Sequence, residues 1–208
     1  MQSRVRIKMC GMTRAEDIQV AAALGVDAIG LIFYPPSPRN VTIAHAKTLL
    51  QIIPAFVDVV AVFVDPLPAF VQQVIDELPV QYLQFHGDES ASFCQQFNRP
   101  YIKAMHATAT AAIENTIHEH PHAAAILLDT PSVTARGGSG TAFDWRIIPA
   151  QSTTAIMLAG GLDAQNVRLA VSDYAPYAVD VCSGVEALPG RKDVDKMNQF
   201  VNALWGKA

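Results

Sequence analysis

The chain has little charge, few cysteines and no long apolar run. Asp, Glu, Lys and Arg make up 16% of its 208 residues, against about 25% in an average globular protein. That scarcity excludes a disordered tail or a charge-laced coiled coil. Basic residues are not in excess: 15 Lys and Arg stand against 19 Asp and Glu, a net charge of −4. No sequence-independent grip on nucleic acid is expected, since that needs a basic face. A small anion is another matter, because backbone N–H groups can hold a phosphate on an acidic protein. The cysteines, Cys10, Cys94 and Cys182, are odd in number and lack metal-finger spacing, so a reduced, cytoplasmic protein is expected. Nothing approaches the roughly 20 apolar residues that cross a bilayer. The run over residues 57–64 is broken by Asp58 and closed by Asp65 and Pro66. Arg4, Arg6 and Lys8 leave no signal-peptide core near the start, and no membrane partner is expected.

What is present is a repeat. Short runs rich in Val, Ile and Leu cover residues 5–10, 28–33, 57–64, 80–85, 101–104, 123–128, 154–158 and 178–181. Most are continuously apolar, which suits strands covered on both faces. Segments of helical period lie between them, at 15–24, 43–53, 68–78, 90–97, 109–118, 164–171 and 194–205. Thr13 with Glu16 reads as a capping box for the first helix. The sixth connection is rich in Gly and Ser, with only a weak helical stretch near Trp145. Eight strands in 208 residues leave 208/8, or 26, residues per unit. Alternating strands and helices demand a parallel sheet with right-handed crossovers. Eight such units predict a single-domain (β/α)8 TIM barrel over residues 1–208, with an open doubly wound sheet as the alternative.

A barrel carries its site at the C-terminal ends of its strands. The first strand ends in Lys8-Met9-Cys10-Gly11. Alternation puts Lys8 and Cys10 on one face, and a neighbouring ammonium favours thiolate. Cys10 also reads as a small buried hydrophobe. The sixth strand ends in Asp129-Thr130-Pro131, an acid at the rim with no strong helix to cap. Gly160-Gly161 and Ser183-Gly184 follow strands seven and eight, where barrels commonly cradle a phosphate. Arg39, after the stiff Pro35-Pro36-Ser37-Pro38 segment, suits a carboxylate. His86 stands at the rim of strand four, its role open among base, ligand contact and satisfied polar residue. The loop Arg136-Gly137-Gly138-Ser139-Gly140 is a candidate cover for the mouth or an ordinary surface loop. Cys10, His86, Asp129 and Cys182 lack the close spacing of a zinc site, so no metal is expected.

Taken in order, these segments resemble the phosphoribosylanthranilate isomerase family. The likeness rests on Lys8-Met9-Cys10-Gly11-Met12-Thr13, Ser37-Pro38-Arg39, Gln84-Phe85-His86-Gly87, Leu127-Leu128-Asp129-Thr130, Gly138-Ser139-Gly140, Leu158-Ala159-Gly160-Gly161-Leu162 with Asn166, and Asp180-Val181-Cys182-Ser183-Gly184-Val185-Glu186 with Gly190-Arg191-Lys192-Asp193. They run through nearly the whole chain. Cys182 departs from the Ser expected at its position, and Phe85 from a common Leu.

The resemblance implies a (β/α)8 isomerase of tryptophan biosynthesis that performs an Amadori rearrangement without a cofactor. It implies Cys10 as general base and Asp129 as general acid, with Arg39 on the anthranilate carboxylate. Gly160, Gly161, Ser183 and Gly184 would hold the phosphate, and Lys8 and His86 join the substrate-binding set. The implied partner is a small phosphorylated substrate, and the implied state a monomer or homodimer. Three rivals share the fold: an aminoaldose isomerase of the histidine route, which uses two aspartates, an indole-forming synthase, which would show more acidic and basic residues at its strand ends, and a phosphate-binding module without catalysis.

Overall fold

All eight apolar runs form strands, and they close on one another. A computed structural model describes residues 4–130, 145–149 and 152–206. Strands β1 (Arg6–Met9), β2 (Ala28–Ile32), β3 (Asp58–Phe63), β4 (Tyr82–Phe85), β5 (Tyr101–His106), β6 (Ala125–Asp129), β7 (Ile156–Leu158) and β8 (Ala178–Val181) form a closed barrel in sequence order. Every neighbouring pair is parallel, and β8 returns to β1 with Lys8 opposite Asp180 and Met9 opposite Val181. Closure leaves the barrel itself without an unpaired edge.

Seven α-helices occur among the described residues: α1 (Ala15–Ala23), α2 (Ile43–Leu50), α3 (Pro68–Glu77), α4 (Ala91–Gln95), α5 (Thr110–Glu119), α6 (Val167–Tyr174) and α7 (Val194–Trp205). The sixth connection shows a 3₁₀ turn, Trp145–Ile147, within its described part. Helix α6 starts three residues later than its apolar period predicts. Asp163 Oδ1 accepts the N–H groups of Gln165 and Asn166, and Asn166 Oδ1 accepts that of Asp163. This side-chain turn competes with helix over those residues.

Thr13 does not cap α1. Arg14 precedes the helix in extended conformation, and no side chain caps the first turn. Thr13 Oγ1 donates instead to the Gly190 carbonyl, tying the first loop to the last. A tertiary partner has displaced the local one. A short antiparallel hairpin that the apolar pattern does not predict, β9 (Glu186–Leu188) with β10 (Arg191–Lys192), turns at Pro189-Gly190 and sets Glu186 opposite Lys192.

The strands divide their side chains between two apolar layers. Ile7, Met9, Ile29, Leu31 and Leu128 face the helices. Cys10, Val60, Val62, Ile102, Leu127 and Met157 fill the barrel interior. Alternation therefore sends Lys8 and Cys10 inward, as their spacing predicts. Among the described residues, no helix is long and apolar enough to cross a membrane.

Candidate active site

Cys10 sits one residue past β1, 5% exposed, at the top of the inner layer. Its sulfur has room because β2 carries Gly30 beside it: a Cβ there would lie 2.6 Å from Sγ. Lys8, 2% exposed, lies beneath. Its Nζ donates to both carboxylate oxygens of Asp180 at 2.9 Å. Burial pushes the Cys10 thiol up, Lys8 pulls it down, Asp180 pushes it up again, and the net shift is upward. Lys8 thus acts in the expected direction, favouring thiolate, but does not set the net shift. Much of the ammonium's charge is answered by Asp180, and desolvation wins. Burial also works against the Lys8 charge, but Asp180 and Cys10 outweigh it and the ammonium stays charged.

Asp129 ends β6 with its side chain 26% exposed. The Thr130 N–H donates to Oδ1 at 2.8 Å, and His86 Nε2 lies 3.2 Å from Oδ2. Gln84, buried inside the barrel, places Nε2 3.2 Å from His86 Nδ1. With the amide donating to Nδ1, the ring donates from Nε2 to Asp129. His86 thus meets the acid, a role its rim position left open. Gly160, φ +74°, passes so close that a Cβ would lie 2.7 Å from Asp129 Oδ1.

The two glycine loops form one surface. A Cβ on Gly184 would fall 1.9 Å from the Leu162 carbonyl oxygen, so the loop after β8 rests on the loop after β7. Asn166 Nδ2 donates to the Gly161 carbonyl at 2.8 Å and fixes that loop. The N–H groups of Gly160, Gly161, Ser183 and Gly184 meet no protein acceptor among the described residues. At Ser183 and Gly184 this follows from the start of a 3₁₀ turn, Ser183–Val185, whose first N–H groups have no partner within it. The candidate covering loop 136–140 lies outside the described residues.

Arg39 reaches the same rim. Its Nε and Nη2 donate to Oε1 and Oε2 of Glu186 at 2.9 and 2.7 Å. Lys192 Nζ lies 3.0 Å from Glu186 Oε1 and 3.1 Å from the Cys182 carbonyl oxygen. Burial pushes the Glu186 carboxyl up, but Arg39 and Lys192 outweigh it and hold it below the usual range. The Cys182 thiol is pushed up to about 12, chiefly by burial. Among the described residues, no three His, Cys, Asp or Glu side chains gather as metal ligands.

Asp180, Glu186, Lys192 and Gln84 stood within the segments that carry the resemblance, without a role of their own. Alternation signalled the first: Asp180 is two residues from Cys182 on an apolar strand, hence on the same face. Glu186 and Lys192 gave no local sign, because the hairpin that pairs them is a tertiary feature.

Comparison with known proteins adds four likenesses. The family model for N-(5'phosphoribosyl)anthranilate (PRA) isomerase matches residues 7–203. An N-(5'-phosphoribosyl)anthranilate isomerase of Legionella pneumophila (strain Corby) is 57% identical over 204 residues, covering 98% of this chain and 99% of that one. The crystal structure of phosphoribosyl anthranilate isomerase from Thermotoga maritima superposes with a TM-score of 0.90 at 36% identity, covering 98% of this chain and all of that one. A further phosphoribosyl anthranilate isomerase, solved with reduced 1-(o-carboxyphenylamino)-1-deoxyribulose 5-phosphate, gives a TM-score of 0.83 at 32% identity, covering 98% and 100%.

Proposed function

The chain belongs to the N-(5'-phosphoribosyl)anthranilate isomerase family, and we infer that its barrel mouth divides the Amadori rearrangement between Cys10 and Asp129. The reaction converts N-(5-phosphoribosyl)anthranilate to 1-(2-carboxyphenylamino)-1-deoxyribulose 5-phosphate. Asp129 protonates the ribose ring oxygen as the anilino nitrogen pushes the ring open. The product is an iminium at C1, which acidifies the proton on C2. Cys10, as thiolate, removes that proton and leaves an enolamine. The enol O–H proton is lost, C1 gains one, and the ketone results. Asp129 has given one proton and Cys10 has taken one, so return of a proton through solvent resets the pair. Oxidation level moves from C1 to C2 within the substrate, and no electron leaves it.

Each end of the substrate has an anchor. The N–H groups of the two glycine loops, without an acceptor among the described residues, suit a phosphate, and Arg39 suits the anthranilate carboxylate. Holding both ends lowers the entropy cost of aligning the sugar between acid and base. Lys8 and Asp180 act from below Cys10 rather than on the substrate. The free thiol is favoured at rest; its proton leaves to solvent as the positive iminium of the bound intermediate draws out the thiolate, and the proton that solvent returns goes to Asp129. His86 orients Asp129.

The observation that carries this reading is one arc of contacts around a single barrel mouth. It runs from Asp129 through Gly160, and from Leu162 through Gly184, to the strand end beside Cys10. The test is turnover of phosphoribosylanthranilate, followed by its fluorescence, in the wild type and in Cys10→Ala and Asp129→Asn. Each variant is expected to lose about 100-fold or more in turnover. Substrate binding without turnover by the wild type would overturn the catalytic reading, and near-normal Cys10→Ala would overturn the base assignment.

A further inference from the structure

Arg39 is held on three sides. Its stem lies across Gly11, where a Cβ would come 2.7 Å from Arg39 Cδ and 3.0 Å from Cys182 Sγ. Its backbone N–H donates to Ser37 Oγ at 3.1 Å. Its guanidinium meets Glu186 side-on, through Nε and one Nη2 proton. A guanidinium has five N–H donors in a planar fork. The side-on pair takes two and leaves the end-on edge, Nη1 with the second Nη2 proton, for another planar carboxylate.

Glu186 is not free to swing away. It is 7% exposed, and Oε1 also accepts the Gly190 N–H at 3.2 Å and Lys192 Nζ at 3.0 Å. Its own carbonyl accepts Lys196 Nζ at 2.8 Å. The hairpin of β9 and β10 fixes Glu186 opposite Lys192. Arg39, Glu186 and Lys192 together carry one net positive charge, which a single bound carboxylate neutralises.

We propose that Glu186 is a positioning residue: it holds Arg39 side-on so that the end-on edge of the guanidinium meets the substrate's carboxylate. The inference rests on the assignment of Arg39 to that carboxylate. The opposite role would be a latch, with Glu186 occupying Arg39 until substrate displaces it. The two roles predict opposite signs. Removing a latch strengthens binding of an anion, since a competing carboxylate is gone. Removing a positioning partner weakens it, although the local charge becomes more positive.

The experiment compares Glu186→Gln and Glu186→Asp with wild type. The substrates are phosphoribosylanthranilate and its aniline counterpart lacking the carboxylate. Glu186→Gln is expected to raise KM for the carboxylated substrate about tenfold or more, the scale of one charge-assisted contact, with kcat changing far less. KM for the aniline counterpart stays put, which a general structural defect would not allow. Glu186→Asp keeps the charge but falls a methylene short of the side-on geometry, so it shifts KM the same way and serves if the Gln variant folds poorly. In an Arg39→Ala background, Glu186→Gln is expected to add no further loss. An unchanged or lowered KM for the carboxylated substrate, or equal shifts for both substrates, overturns the proposal. If wild type turns over and Cys10→Ala does not, that outcome sinks the positioning role alone; an inactive wild type sinks the function.

Discussion

Gly160→Ala puts the geometry around Asp129 under direct test. The new Cβ would stand 2.2 Å from Thr130 Oγ1, 2.3 Å from Thr130 N and 2.7 Å from Asp129 Oδ1. Ordinary contact begins at 3.4 Å, so the Thr130 backbone nitrogen must retreat by 3.4 − 2.3, or 1.1 Å. That nitrogen carries the N–H that orients Asp129. The positive φ adds about 1–2 kcal/mol of strain, and overpacking about 1–3 kcal/mol. A total near 2–5 kcal/mol is expected from urea unfolding. Misplacing a catalytic group by about 1 Å costs on the order of 100-fold in turnover. Gly25→Ala is the control. Gly25 has φ +78°, yet its Cβ would meet only Trp205 Cζ3, at 3.9 Å. That variant keeps the backbone strain of about 1–2 kcal/mol and is expected to turn over normally. If Gly160→Ala matches Gly25→Ala in both kcat and stability, the contact with Thr130 and Asp129 does not matter and the reasoning fails.

Two further outcomes follow from the buried groups. The Cys10 thiol lies above its ordinary value near 9.0 because of burial, so the thiolate fraction is small at neutral pH and grows as pH rises. Alkylation of Cys10 by iodoacetamide, read by mass spectrometry, should be slow at pH 7 and still climbing past pH 9; a plateau by pH 8 would contradict the burial effect. Lys8→Met and Asp180→Leu should each cost about 3–5 kcal/mol, because each strands a buried charge. The double variant should recover most of that loss in urea unfolding, and additive losses would refute the ion pair's coupling.

The eight-strand period was legible because a parallel barrel strand is buried on both faces and must be apolar along its length. Alternation was legible too, and it correctly turned Lys8 and Cys10 inward. Helix starts were less so. Thr13 carries a good local capping pattern, but a carbonyl 177 residues away takes its hydroxyl. Asp163 and Asn166 delay α6 through side-chain hydrogen bonds that hydrophobic period does not register. The Lys8 effect on Cys10 was read with the right sign for the pair, but the burial and the Asp180 charge that set the net shift lay beyond that reading. Charge balance inside a barrel depends on strands that are neighbours only after closure.

The chain's own order of residues determined the repeat, the face of each strand and the residue types at the rim, because these depend on neighbours two to four positions apart. The tertiary structure alone decided which distant groups meet. It set Asp180 against Lys8, Gly160 against Asp129 and Glu186 against Arg39, since parallel closure and the last hairpin bring together side chains separated by up to 172 positions. Electrostatic and steric effects act over a few ångströms of space, whatever the distance along the chain.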